Sequence, residues 1–249
     1  MLPLSFNSFM MTFAAPRISR VLESTGEIEH RVAKRVVDMS LLASAVIGHG
    51  LGTKTGRDAA RRVNEMHRAY DIHEDDFIVV GSEAVVSSLE LADQCGWRPV
   101  TDKEREAVRR FHSQMTQAFG SRKPLPPTLP LVRQFWSDYL DREARFEPQN
   151  LRLAKSVLGY YSMLFPKALR PLLRYAMVAI LDPRIARACG MPVSSLAGRW
   201  IAIKVIRLLG RRDPVADGGP DGLAKLAASV YPNGWELNAL GTHIKAKAA

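Results

Sequence analysis

The sequence has few of the features that mark well-known protein classes. It contains only two cysteines, Cys95 and Cys189, which cannot build a disulfide framework or a zinc site by themselves. Two unpaired thiols suit a reducing compartment. It has no HExxH, CxxC or GxSxG arrangement, no P-loop and no dinucleotide-binding glycine pattern. No short motif therefore indicates a hydrolase, a zinc enzyme or a nucleotide-dependent enzyme.

Long apolar runs and an early positive charge are also missing. The longest apolar-rich stretch, MSLLASAVIGHGLG at 39–52, is too short to span a bilayer. No basic residue precedes Arg17, whereas a secretory signal begins with positive charge. The net charge of +10 suits acidic partners, but no basic patch interleaved with aromatics favours nucleic acid. We expect a soluble, cytoplasmic, non-secreted protein, with peripheral membrane contact left open.

Nearly every segment has the periodicity of a helix. Thr101 and Glu104 form a capping-box pattern, and Gly120 is expected to end that helix. Another helix is expected to start at Thr55, with Asp58 three residues on. The most strand-like segment is FIVV at 77–80. Strands and helices do not alternate, so a doubly wound sheet is not expected.

The predicted fold is therefore an all-α, single-domain helical bundle. A flexible leader is expected over residues 1–11 and the helical domain over 12–212. A rigid, proline-rich connector at 121–130 lies within this domain. Residues 213–249 are expected to form a turn-rich loop, a short helix and a basic tail.

His67 is the most informative polar residue, because it lies on the apolar side of a predicted helix. At about 100° per residue, Ala60, Val63 and Tyr70 fall on the same side. The small Gly56 and Ala60 would leave room for a large flat group, and a neutral imidazole in an apolar cleft is a good axial ligand for haem iron. The alternative is a core histidine with satisfied hydrogen bonds.

The preceding helix carries an arginine in line with a buried stripe. Three- and four-residue steps join the residues of this stripe, Arg35, Met39, Leu42 and Val46. A buried arginine needs an anion, which could be a haem propionate, an oxygen-derived ligand, Asp38 or a nearby glutamate. The alternative is an arginine whose head group reaches the surface.

The remaining histidines are weaker candidates. His112 lies beside Val108 and Met115 and is the second candidate ligand, with packing at the edge of the core as the competing interpretation. The HEDD carboxylates at 73–76 are expected to cap a helix start. The other histidines lie in polar, turn or tail contexts and are expected at the surface: His30, His49, His73 and His243.

The segment AGRWIAIKVIRLLGRR at 197–212 has the pattern of a basic amphipathic helix. It could lie on an anionic membrane, or it could pack on the core with a solvated basic face. The basic arc comprises Arg199, Lys204, Arg207 and Arg211, and the opposite apolar arc comprises Ile201, Val205, Leu208 and Leu209.

The order of several segments resembles the haem-dependent oxygenases related to latex clearing protein, or rubber oxygenase. The segments that carry it are TFAAPRISRVLESTGE, KRVVDM, GRDAARRVNEMHRAYDIHEDDF, GWRPVTDKEREA and QNLRLAKSVLGYYSMLFPKALRPLLRY. RVNEMHRAYDI followed by GWRPVTDKEREA is the most specific combination. The likeness is greatest to the branch with the fungal oxygenase that shortens a farnesyl chain in mycophenolic acid synthesis, and it fades near Pro214.

The resemblance implies a globin-like helical core that binds haem b through a histidine. The position of this proximal iron ligand is His67, and the family arginine near the haem matches Arg35. A threonine four residues after that arginine is replaced by Met39, whose thioether cannot donate a hydrogen bond. We expect the loss of this hydrogen-bond donor to affect catalysis more than haem binding. The replacement also opens the option of Met39 as a sixth ligand.

Two functional hypotheses follow. The first is a haem-b oxygenase that uses dioxygen on a hydrophobic, isoprenoid or lipid-like substrate, with oxidative double-bond cleavage carried over by analogy. Catalytic roles would fall to Arg35 and the Met39 position, and Ala60, Val63 and Tyr70 would line the cofactor. The alternative is a haem-binding or haem-free helical protein without turnover, such as a sensor or interaction module.

Overall fold

The computed structural model describes residues 2–210 and 221–242, which contain helices and no β-strand. The all-α prediction is confirmed. No helix in these two ranges is long and apolar enough to cross a membrane. Two short 3-10 helices lie at Lys167–Leu169 and Leu237–Ala239. The α-helices are α1 (Leu2–Ala14), α2 (Pro16–Thr25), α3 (Glu27–His30), α4 (Val32–His49), α5 (Lys54–His67), α6 (Glu74–Cys95), α7 (Asp102–Ala118), α8 (Leu129–Glu143), α9 (Pro148–Met163), α10 (Arg170–Ala179), α11 (Pro183–Ala188), α12 (Leu196–Gly210) and α13 (Asp221–Val230).

Helix α1 lies at the centre of the bundle, where it packs against α6, α9 and α11. Phe6, Phe9, Met10 and Phe13 are buried in its interfaces. Their spacing of three and four residues gives the helix a continuous apolar face, and each buried side chain contributes about 1.5–3 kcal/mol. This differs from the flexible leader expected for residues 1–11, because the apolar residues of that segment belong to the core.

Local sequence signals set several helix boundaries. The capping box of Thr101 and Glu104 is present at the start of α7, and Gly120 follows its end with φ +124°. The predicted start at Thr55 is wrong: α5 begins at Lys54, and the Thr53 hydroxyl accepts a hydrogen bond from the Gly56 N–H. Residues 77–80 are helical, since they lie within the long and largely buried α6.

The HEDD segment caps the start of α6 through its histidine and not, as expected, through a carboxylate. The cap is His73, whose Nδ1 accepts from the Asp75 N–H. The Glu74 carboxylate instead accepts from the Ser121 hydroxyl at 2.6 Å and the Lys123 N–H at 2.9 Å. It therefore ties α6 to the start of the proline-rich connector.

Two large apolar clusters divide the interior. The first gathers side chains from α1, α2, α8, α9 and α11. The second gathers α4, α5 and α7 and is closed by α13 and the 3-10 turn at Leu237–Ala239, with Ala227 and Leu240 buried. The chain after residue 212 thus contributes directly to the packing of α4 and α5.

Asp38 on α4 fastens this last segment to the bundle. Its buried carboxylate accepts from the Gly241 N–H at 2.8 Å, from the Tyr231 hydroxyl and from Lys34 Nζ at 2.5 Å. Arg62 of α5 adds a hydrogen bond to the Leu240 carbonyl at 2.9 Å. Charge-assisted hydrogen bonds to a buried carboxylate are among the stronger ones in proteins, so this contact fixes the C-terminal turn against α4 and α5.

Candidate haem-ligand site

His67 is the last residue of α5, and its ring is held by the end of α7. The ring Nδ1 lies 2.8 Å from the carbonyl oxygen of Phe119, the residue that caps the C-terminus of α7. The last carbonyls of a helix have no partner within it, so this oxygen is free to accept. Because a carbonyl can only accept, Nδ1 carries the proton, and the lone pair lies on Nε2.

The surroundings keep the His67 ring neutral. Burial lowers its pKa and is the largest effect, the hydrogen bond to the Phe119 carbonyl opposes it, and the positive charge of Arg35 lowers the pKa a little further. Phe77 packs edge-on against the ring, with centroids 5.4 Å apart. Nε2 has no hydrogen-bond partner among the residues that the structure describes. A neutral imidazole with a fixed tautomer and a free Nε2 is a competent metal ligand.

Arg35 on α4 is close enough to His67 to influence its ionisation. Burial lowers the pKa of the guanidinium, and this effect outweighs the attraction of Asp38, Glu27 and Tyr70. Within residues 2–210 and 221–242 the guanidinium has neither an ion pair nor a hydrogen bond. An arginine remains charged even when desolvated, so this site holds a positive charge that lacks an ion-pair partner among the described residues.

The carboxylates expected to compensate Arg35 are engaged elsewhere. Asp38 binds Lys34, Tyr231 and the Gly241 N–H. Glu27 is buried and pairs with Arg31 at 2.5 Å. The partner of Arg35 could be a protein carboxylate or an external anion. These contacts favour an anion that the described residues do not supply.

The small residues of α5 take part in the packing of α5 against α4. A Cβ on Gly56 would lie 2.0 Å from the Gly50 carbonyl oxygen, so this glycine lets α5 approach the end of α4. Ala60 is buried and Val63 half-buried in the second apolar cluster. The space expected beside Gly56 and Ala60 is filled by this packing, and the contact of Ala60 and Val63 with a cofactor stays a prediction.

Met39 and Tyr70 have different surroundings in the structure. Met39 packs against the first apolar cluster, as a flexible core side chain does. Tyr70 follows the end of α5 and lies close enough to Arg35 to affect its pKa. Arg35 therefore lies near both His67 and Tyr70, while Met39 packs against the first apolar cluster.

The second candidate ligand, His112, has no hydrogen bond from Nδ1 that would fix its ring as the Phe119 carbonyl fixes the ring of His67. Burial lowers its pKa to about 4, so it too is neutral, but its buried Nδ1 has no partner among the described residues. Its ring packs edge-on against Phe111 at 5.4 Å. No backbone acceptor selects one tautomer of this ring, which makes it the weaker of the two candidates. His243 lies outside the described residues.

Sequence reasoning missed the groups that orient His67. Neither the Phe119 carbonyl nor the Phe77 ring was expected at the site. The only available signal was Gly120, which predicts the end of α7 and hence an exposed terminal carbonyl. The described residues contain no group of three or more histidine, cysteine, aspartate or glutamate side chains placed to hold a metal ion. A metal site here would rest on one imidazole, with its other ligands supplied by a prosthetic group.

The geometry of the site does not by itself identify a protein family, but a comparison with known families does. No curated protein is significantly similar to the chain. The family model described as ER-bound oxygenase mpaB/B'/Rubber oxygenase, catalytic domain, matches residues 1–211. The match includes every residue of the candidate site and ends close to Pro214, where the sequence resemblance fades. The chain belongs to this family of oxygenases.

Proposed function

We propose that the protein is a haem-b-dependent oxygenase that acts on a hydrophobic, isoprenoid or lipid-like substrate. One observation carries the proposal: the Phe119 carbonyl fixes the His67 tautomer and leaves Nε2 without a partner among the described residues, and Arg35 is near enough to lower the pKa of the ring. An imidazole and a cation side by side match the two needs of an anionic metalloporphyrin, one axial nitrogen and a partner for a propionate. The donor set therefore fits the group.

Each of these residues has a distinct role in the proposal. His67 would hold the iron through Nε2, and the Phe119 carbonyl would fix the ring orientation and raise its basicity. Arg35 would pair with a propionate or stabilise negative charge that develops during the reaction. The bound haem would supply the chemistry that activates dioxygen.

The substrate class follows from the family. The family includes rubber oxygenases, and rubber is a polyisoprenoid whose reactive group is a carbon–carbon double bond. We infer oxidative cleavage of such a bond, with dioxygen as co-substrate and carbonyl products. The mainly apolar interfaces of the helices suit a substrate with no charged group.

The first experiment tests the iron ligand. The protein is purified from cells supplied with a haem precursor, and its visible spectrum is compared with those of His67→Ala and His112→Ala. We expect a Soret band in the wild type and in His112→Ala, and its loss in His67→Ala. Circular dichroism checks that each variant is folded. A band that survives in folded His67→Ala would exclude this residue as the ligand.

The second experiment tests Arg35. Arg35→Leu removes a half-buried charge that has no ion pair among the described residues, so the haem-free protein should unfold at higher denaturant concentration. The same variant should lose haem faster to a haem-scavenging protein, because the propionate would lose its partner. A conservative Arg35→Lys should restore part of the retention. Unchanged haem loss in Arg35→Leu would contradict the propionate role.

A second candidate function is a haem-binding protein without turnover. Met39 favours it, because a thioether packed into the first cluster cannot donate a hydrogen bond near the haem. Supplying dioxygen and a polyisoprenoid, and measuring carbonyl products, separates the two functions. Products would support the oxygenase, while a haem-loaded protein that forms none would support the alternative. More carbonyl product from Met39→Thr than from the wild type would show that Met39 limits turnover.

A further inference from the structure

Helices α10 and α12 present a large apolar surface to solvent. On α12 the residues that face outward include Leu196, which is 89% exposed, and Trp200, which is 61% exposed. Ala202 faces inward and is fully buried. The apolar arc of this helix packs on the core only in part. Val205 packs against a cluster that includes Ala202, whereas Ile201 and Leu208 are exposed and Arg207 donates to the Gln94 carbonyl of α6.

The exposed residues of the two helices form one continuous surface. Tyr175 of α10 lies against α12, since a Cβ on Gly198 would be 2.3 Å from the tyrosine hydroxyl. Monomeric proteins rarely leave such a patch uncovered without a function. We call this surface the α10–α12 face, and its apolar residues are Leu169, Leu172, Tyr175, Leu196, Trp200, Ile201 and Leu208.

Positively charged side chains that form no ion pair among the described residues lie close to these apolar residues in the sequence. Arg174 of α10, Lys204 of α12 and Lys167 of the 3-10 helix before α10 are exposed. None forms an ion pair with a carboxylate of the described residues. The single acidic residue in the stretch 163–208 is Asp182, which caps α11 and pairs with Arg184. The Lys204 ammonium lies 5.1 Å above the Trp200 ring, which keeps both groups at the edge of the patch.

We propose that the α10–α12 face docks on the surface of an anionic lipid bilayer. Tryptophan and tyrosine with flanking lysine and arginine are the residues that favour the interface between lipid and water. A second copy of the chain is a poorer occupant, because a two-fold contact would place the same unpaired cations against each other. The apolar side chains would enter the headgroup region, and the cations would meet lipid phosphates.

Sedimentation with vesicles tests this proposal without haem or substrate. The full chain is mixed with vesicles of phosphatidylcholine alone or with phosphatidylserine added. We expect binding to the anionic vesicles that weakens as salt rises. Trp200→Glu should reduce the partition coefficient more than about tenfold. Neutralising Lys167 and Arg174 together should reduce it about fivefold for each charge.

Trp235→Glu is the matched control, since this exposed tryptophan lies in the segment that packs on α4 and α5. It should bind vesicles like the wild type. Leu196→Glu, at a more exposed position, repeats the test if Trp200→Glu does not fold. The proposal is overturned if the folded wild type ignores anionic vesicles or if the α10–α12 variants bind unchanged. It is also overturned if the face instead supports a dimer that Trp200→Glu dissociates.

Discussion

Glu83 offers a sharp test of the buried polar interactions in α6. Its side chain is 2% exposed, and burial raises the pKa of the carboxyl from 4.5 to about 7. The Ser87 hydroxyl donates to Oε1 and counteracts this rise. The Trp136 indole approaches and also favours the ionised form, but it falls short of a hydrogen bond, so Oε2 and the indole nitrogen are left unpaired.

The raised pKa makes stability depend on pH in a defined direction. Between pH 4.5 and about 7 the unfolded chain has lost this proton while the native protein keeps it. Native stability therefore falls as pH rises through that window. At about 1.4 kcal/mol for each tenfold change in the ionisation equilibrium, the loss is about 3 kcal/mol above pH 7.

Glu83→Gln removes this penalty and retains an acceptor for Ser87. The variant should match the wild type below pH 4.5 and be about 3 kcal/mol more stable above pH 7. Urea unfolding followed by circular dichroism at both ends of the window measures the difference. Glu90→Gln, at a half-exposed carboxylate on the same helix, is the control; it retains Glu83, so its stability should fall across the window nearly as that of the wild type does. Equal effects of Glu83→Gln at both ends would refute a suppressed ionisation.

Two further predictions concern the contacts of α4. Gly56→Ala should cost about 1–3 kcal/mol, because its Cβ would collide with the Gly50 carbonyl; Gly48→Ala, which meets nothing within 4 Å inside α4, should instead add about 0.5–1 kcal/mol. Chemical denaturation of both variants measures the contrast, and equal effects would contradict the close approach. Asp38→Asn should cost about 2–4 kcal/mol and speed proteolysis after residue 230, measured by mass spectrometry of the fragments. Unchanged cleavage would show that the carboxylate does not fasten the C-terminal turn.

Helix content and several helix ends could be predicted from local sequence. The capping box at Thr101 and the stop at Gly120 depend on residues within one turn of the boundary. The strand-like segment at 77–80 was ambiguous for a physical reason: a helix buried on most sides tolerates a run of branched apolar residues, and periodicity does not separate it from a strand.

The candidate site depends on contacts that no local pattern reveals. The pairing of His67 with Phe119 spans 52 residues, and that of Asp38 with Gly241 spans 203. The wheel placed His67 on an apolar face, which is where it lies, but it could not tell which groups fill the space beside it. Gly56 allows a close approach of α5 to the end of α4, and Ala60 is buried in the second apolar cluster.

The C-terminal turn has a consequence for where this chain can be divided. The family match ends at residue 211, yet α13 and Leu240 complete the apolar cluster beneath α4 and α5. A fragment cut at that boundary would leave Lys34 as the sole remaining partner of the Asp38 carboxylate and would uncover the flank of the helix that carries Arg35. In this protein the packed apolar interior therefore extends beyond the residues that the family model matches.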